Sequence, residues 1–141
     1  MKFSYLKFPA QPTEAFPDRK WALRPVLPVT LKNEDKKITI QALIDSGADH
    51  NIFNAEIGEI LGIDVKSGKK LYFWGTSGQK QLAYYHDIGI EIGGLEYECY
   101  CGFSYDINHL PYGLLGQNDF FKKFKILFDY SKERFEVNLN E

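Results

Sequence analysis

The residues of this chain best suited to chemistry lie in one run, Ala42-Leu43-Ile44-Asp45-Ser46-Gly47-Ala48-Asp49. Two carboxylates, a hydroxyl and a glycine fall between Asp45 and Asp49, directly after three apolar residues. Ile38, Ile40, Ala42 and Ile44 share one face of a strand, and Leu43 then breaks the alternation. Apolar residues on both faces mean that the strand is entering the interior. Asp45 therefore arrives at the end of a buried strand, where partial desolvation can adapt a carboxylate to acid–base work. Gly47, with no β-carbon, lets backbone pass close to that carboxylate. The triplet Asp-Ser-Gly is weak by itself, because each residue is at home in a turn and an ordinary turn after a strand also accounts for it. A second apolar-apolar-glycine element much further along, Leu114-Leu115-Gly116, is what raises the functional reading above that one.

The other reactive side chains have plainer readings. His50 beside Asp49 allows a metal site, and with it a metal-dependent hydrolase built on Asp45, Asp49 and His50, but neighbours on a strand face opposite sides. His86 and His109 read as surface or turn residues. Cys99 and Cys101 lie two apart in a strand-like run, where the β-carbons are too far apart for disulfide geometry, so they read as buried, reduced thiols. A C-x-C pair can bind metal, yet no second Cys or His pair stands at suitable spacing. No metal or cofactor is expected. The net charge of -2 and the small Lys122, Lys123, Lys125 cluster, read as a solvated helix face, argue against a nucleic-acid partner.

The elements that must position Asp45 are mostly strands. Hydrophobic residues make up 44% and charged residues 26%, the balance of a soluble globular domain, and no apolar run approaches a membrane span. Lys7 interrupts what would have to be an apolar signal segment, so the expected location is the cytoplasm, with no membrane partner. Residues 1–25, which hold Pro9, Pro12, Pro17 and Pro25, read as an extended arm with one edge strand over Lys2 to Phe8; residues 26–141 read as a single domain. Asn54 suits the N-cap of a short helix through Ile57, Ile60 and Leu61 that stops at Gly62. Leu71 to Trp74, the loop Gly75-Thr76-Ser77-Gly78 and a strand from Gln79 form a long hairpin. Ile88, Ile90 and Ile92, the turn Gly93-Gly94 and the alternating Leu95 to Phe103 form a second. A short helix through Phe120, Phe121 and Phe124 follows Gly116, then a strand Ile126 to Tyr130 and a last one with Phe135, Val137 and Leu139. The expected fold is mainly β, a closed barrel-like domain with two short helices.

The hydrophobic strand ending in Asp45-Ser46-Gly47-Ala48-Asp49, the following hairpin, and Leu114-Leu115-Gly116 before a helix near the C-terminus resemble, in the same order, the retropepsin-like aspartic proteases, and most closely their short single-domain bacterial members. The resemblance covers about Val26 to Leu139. It implies the fold of one pepsin half and an aspartic endopeptidase acting on peptide or protein substrates. It implies that Asp45 is the catalytic aspartate, that Ser46 bonds across a dimer interface and that Gly47 brings an amide to the carboxylates. Ala48 and Asp49 would hold substrate backbone. Trp74, Gly75, Thr76, Ser77 and Gly78 would form the tip of a flap over it, although Trp74, sharing a strand face with Tyr72, also fits a core position. In retroviral members an arginine follows the second glycine and pairs with the acid that corresponds to Asp49. Here that position is Gln117, which can donate only a neutral hydrogen bond, and Arg24 is a candidate substitute.

One chain supplies one such aspartate, while this chemistry divides acid and base roles between two. A homodimer with Asp45 on its twofold axis is therefore expected, with the aromatic-rich termini as candidate interface strands. The competing reading is a catalytically inactive module of the same fold that binds extended peptides at a strand edge.

Overall fold

The computed structural model describes residues 1–75 and 78–141 of the chain. Its strands are β1 (Lys2–Ser4), β2 (Leu6–Pro9), β3 (Trp21–Arg24), β4 (Val26–Asn33), β5 (Lys36–Ile44), β6 (Ile52–Asn54), β7 (Lys69–Trp74), β8 (Lys80–Ile92), β9 (Leu95–Ser104), β10 (Gly113–Leu115), β11 (Phe124–Asp129) and β12 (Arg134–Leu139). A seven-stranded sheet runs in the order β4-β5-β10-β6-β9-β8-β7, and β4 pairs again with β8. That additional pairing, Thr30 to Lys32 against Glu91 to Gly89, closes every strand but β7 into a barrel. Closure leaves β7 at an edge of this sheet, and most of its residues are exposed.

The alternating apolar residues read in the sequence face the barrel interior. Leu27, Val29 and Leu31 of β4, Ala42 and Ile44 of β5, Ile88, Ile90 and Ile92 of β8, and Cys99, Cys101 and Phe103 of β9 form one buried cluster. The Gly93-Gly94 turn has positive φ at both positions (57° and 85°), the conformation a two-residue hairpin turn needs. The helix α1 (Ala55–Ile60) starts where expected: the Asn54 side chain accepts from the Glu56 amide at 3.0 Å. Gly58 in its middle is explained by packing, since a β-carbon there would lie 3.0 Å from both Phe103 and Val65. No helix among the described residues is long and apolar enough to cross a membrane.

Two expectations change. The single strand over Lys2 to Phe8 is two strands that part at Tyr5, whose amide bonds to the Glu133 carbonyl. β1 joins a three-stranded sheet β1-β12-β11, and β2 forms a hairpin with β3. The helix through Phe124 is instead a π-helical turn, Gln117–Phe121, and Phe124 already belongs to β11, opposite Leu139. Phe120 and Phe124 are both fully buried with ring centroids 5.0 Å apart, so the aromatic spacing that reads as helical serves a turn-to-strand corner.

Candidate active site

Asp45 follows the last residue of β5, and its placement rests on β10 lying beside that strand. The two run parallel, with Gly113, Leu114 and Leu115 opposite Ala42, Leu43 and Ile44. On its other side Leu114 pairs with Ile52 of β6. β10 is thus wedged between the strand entering the motif loop and the strand leaving it. Gly113 sits against Phe53, where a β-carbon would come within 2.5 Å of the ring.

The motif loop is bonded to the end of β10 and the residues just after it. The Asp45 amide donates to the Leu115 carbonyl at 3.0 Å, the Gln117 amide to the Ala48 carbonyl at 2.8 Å and the Asn118 amide to the Asp49 carbonyl at 2.8 Å. The Gln117 side-chain amide donates to the Ser46 carbonyl, also at 2.8 Å. Gln117 thus holds the loop backbone instead of pairing with Asp49. The Arg24 guanidinium donates to the neighbouring Leu23 carbonyl. Within the loop the Gly47 amide donates to Asp45 Oδ1 at 2.9 Å. A β-carbon at Gly47 would lie 3.2 Å from that oxygen. Asp45 is half-buried, while Ser46, Gly47 and Asp49 are exposed, so the carboxylate is fixed from below and open from above.

Asn51, a residue with no role assigned from the sequence, ties this loop to the barrel. It is fully buried. Its side-chain oxygen accepts from the Gly116 amide at 2.8 Å and its side-chain nitrogen donates to Cys99 Sγ at 3.3 Å. Its own carbonyl accepts from the Gly102 amide. A buried side-chain amide needs partners, and here they are Cys99 on β9 and Gly116 just past the end of β10. Asn51 closes the polar run Asp49-His50-Asn51 before the apolar pair Ile52-Phe53, and nothing in that run marks it as the buried member. Gly116 is equally constrained, since a β-carbon there would meet the His50 carbonyl oxygen at 2.5 Å.

Three groups around this support have shifted ionisation. Burial pushes the Asp119 carboxyl up, opposed by the Asn51 backbone and by His50. Burial also raises the Tyr85 hydroxyl and the Cys101 thiol. Cys99 and Cys101 are free thiols inside the barrel, their sulfurs 3.2 Å apart. The His50 ring packs edge-on against Tyr85, with centroids 5.6 Å apart. No cluster of three or more metal-capable side chains occurs among the described residues.

The β7–β8 hairpin is the other element named for the site. Its returning strand is anchored at Leu82, whose amide donates to Asp106 Oδ2 at 2.8 Å and whose carbonyl accepts from Ser104 Oγ at 2.7 Å. Beyond that anchor the strands pair up to Trp74 and Lys80. Trp74 is 72% exposed, so it is not a core residue. The Gly75 amide donates to the Gln79 carbonyl and the Gly78 amide to the Gly75 carbonyl. Thr76 and Ser77 lie outside the described residues. Among the described residues no hydrogen bond joins Trp74, Gly75 or Gly78 to the motif loop.

A closed barrel with a wedged Leu-Leu-Gly strand beside an Asp-Ser-Gly loop is the retropepsin-like fold, and comparison with solved structures agrees. A retropepsin-like aspartic protease from Rickettsia conorii superposes with a TM-score of 0.57 at 19% identity, over 78% of this chain and 88% of that one. EIAV protease, solved in complex with the inhibitor HBY-793, matches with a TM-score of 0.49 at 19% identity, over 67% of this chain and 83% of that one. No family model matches the sequence, and no curated protein matches it.

Proposed function

We propose that the protein is an aspartic endopeptidase whose catalytic pair is Asp45 of two identical subunits. The observation that carries this reading is the Asp45 carboxylate itself: half-buried at the end of a core strand, accepting from the Gly47 amide, on a loop clamped by the segment after β10. The fold shared with the Rickettsia conorii protease supports the reading.

The chemistry follows from two such carboxylates meeting across a twofold axis. At about 3 Å separation they cannot both ionise, so they hold one proton between them. The ionised member takes a proton from water as the water oxygen attacks the peptide carbonyl, and the protonated member donates to the carbonyl oxygen. The proton taken from water then passes to the peptide nitrogen as the C–N bond breaks, and one diol hydroxyl returns its proton to the pair as the acid product forms. Ser46 is assigned a hydrogen bond across the axis, and Gly47 fixes the carboxylate orientation. Ala48 and Asp49 hold substrate backbone from below, and Trp74 to Gly78 cover it from above and exclude water. Both partners of the reaction are then supplied by protein side chains and water, with no cofactor.

The test is digestion of a peptide library by the wild type beside Asp45→Asn. The amide is near-isosteric but can neither take nor share the proton, so cleavage should fall to background while the fold persists. For the wild type, kcat/KM should fall on both sides of one pH optimum as the shared proton is lost or a second one gained. Equal cleavage by Asp45→Asn removes Asp45 from the chemistry. Tight binding of extended peptides by both proteins with cleavage by neither would favour the inactive peptide-binding module.

A further inference from the structure

The three-stranded sheet β1-β12-β11 is completed inside one protomer. The N-terminal ammonium donates to the Val137 carbonyl and to Asn138 Oδ1, and Phe3 stacks on Phe135 at 5.4 Å. β1 is therefore already paired with its own chain. On the far side of the sheet, no strand among the described residues pairs with the outer side of β11. This open edge carries Leu127, 61% exposed, and Phe128, 43% exposed although it shares a face with the buried Phe124. A six-residue edge with four apolar residues left open is a template for another strand.

We infer that β11 pairs with β11 of a second copy of this chain, antiparallel about a twofold axis through Leu127. The inference rests on the dimer proposed above and specifies how it is built. The register comes from hydrogen-bond parity and charge. The Lys123 carbonyl accepts from the Asn140 amide across the β11–β12 ladder. In an antiparallel ladder alternate residues point their backbone groups to the same side. Lys125, Leu127 and Asp129, opposite Asn138, Glu136 and Arg134, thus bond to β12, while Phe124, Ile126 and Phe128 point theirs at the open edge. Two copies can bond only in registers that place these outward residues opposite one another. Centring on Ile126 sets Lys125 against Leu127, and centring on Phe128 sets Leu127 against Asp129. Centring on Leu127 sets Lys125 against Asp129 twice, Ile126 against Phe128 twice, and Leu127 against itself. Only this register sets both charged residues of β11 against opposite charges on one face and pairs apolar side chains on the other. It joins two three-stranded sheets into one of six strands without exchanging the N-terminal strands.

In this register Leu127 meets its mate as a non-hydrogen-bonded pair, the closer of the two pair types, with Cα atoms about 4.5 Å apart. Full-length Leu127→Cys, treated with copper–phenanthroline, should therefore run as a disulfide-linked dimer on a non-reducing gel. Lys125→Cys and the wild type should not, since Cys99 and Cys101 are buried. Separately, Lys125→Glu turns two attractive cross-strand pairs into repulsive ones and should weaken the dimer about tenfold in sedimentation. If the wild type sediments as a dimer but Leu127→Cys does not cross-link and Lys125→Glu dissociates no more readily, the interface lies elsewhere while the catalytic dimer stands. If the wild type stays monomeric at high micromolar concentration with peptide present, the dimer itself falls, and this interface with it.

Discussion

At the scale of single residues, the motif loop is held in place by groups that lie outside it. Asn51 bridges the Gly116 amide and Cys99, and both partners are buried. Asn51→Ala leaves the Gly116 amide buried without its acceptor and opens a small cavity, so unfolding stability should drop by about 3 kcal/mol. Urea denaturation measures it, and a loss under about 0.5 kcal/mol, the range of an ordinary surface change, would mean that Asn51 does not tie the loop down. Asp119 acts in the opposite sense. Its carboxyl is pushed up by burial, so folding favours its protonated form. That contribution is present below the unfolded pKa and is lost as pH rises through the folded one. Asp119→Asn, which carries no charge to bury, should be more stable than wild type at pH 7, with the gain vanishing in acid below the ordinary carboxylate range. Denaturation midpoints at the two pH values check it; a gain that persists unchanged in acid contradicts the assigned cause. Asp45-Ser46-Gly47 stood out in the sequence because a carboxylate, a hydroxyl and a glycine follow an apolar strand, whereas Gln117 stood out only as a departure. Its bond to the Ser46 carbonyl comes from the backbone path after Gly116, which no residue type encodes.

At the scale of elements, local patterns were read well, and of the long-range pairings only that of Leu114 and Leu115 beside the motif strand was anticipated, through the family resemblance. The Gly93-Gly94 hairpin and the Asn54 cap each depend on residues adjacent in sequence, and both occur where the pattern put them. The pairing of β1 with β12 joins Phe3 to Phe135, and nothing near either residue marks the other as its mate. The β2–β3 hairpin was hidden by Pro9, Pro12 and Pro17 and by a long polar connection between its strands. The β7–β8 hairpin carries a prediction at this scale. Trp74 is mostly exposed, so Trp74→Ala should change stability by less than about 0.5 kcal/mol. If the hairpin covers substrate, the same change should raise KM for peptide several-fold, about 1 kcal/mol of lost contact. An unchanged KM beside unchanged stability would take Trp74 out of the substrate site.

At the scale of the whole molecule, the barrel is complete within one chain, whereas the proposed catalytic pair takes one Asp45 from each of two. Additional pairing between β4 and β8 closes the barrel, and the terminal sheet is formed by strands of the same protomer. A folded monomer is therefore a reasonable species in dilute solution, and activity should depend on protein concentration as copies associate. The most direct measurement mixes wild type with Asp45→Asn after dissociation and reassociation, at equal concentrations and at fixed total wild-type chain. With random pairing, half of the wild-type chains end in mixed dimers, which hold one carboxylate and one amide and cannot share the proton. The cleavage rate per wild-type chain should then fall to about one half of that of wild type alone at the same total chain concentration, and further in proportion as the variant is added in excess. A rate per wild-type chain unaffected by the variant, with mixed dimers demonstrated to form, would contradict a site built from two Asp45 side chains.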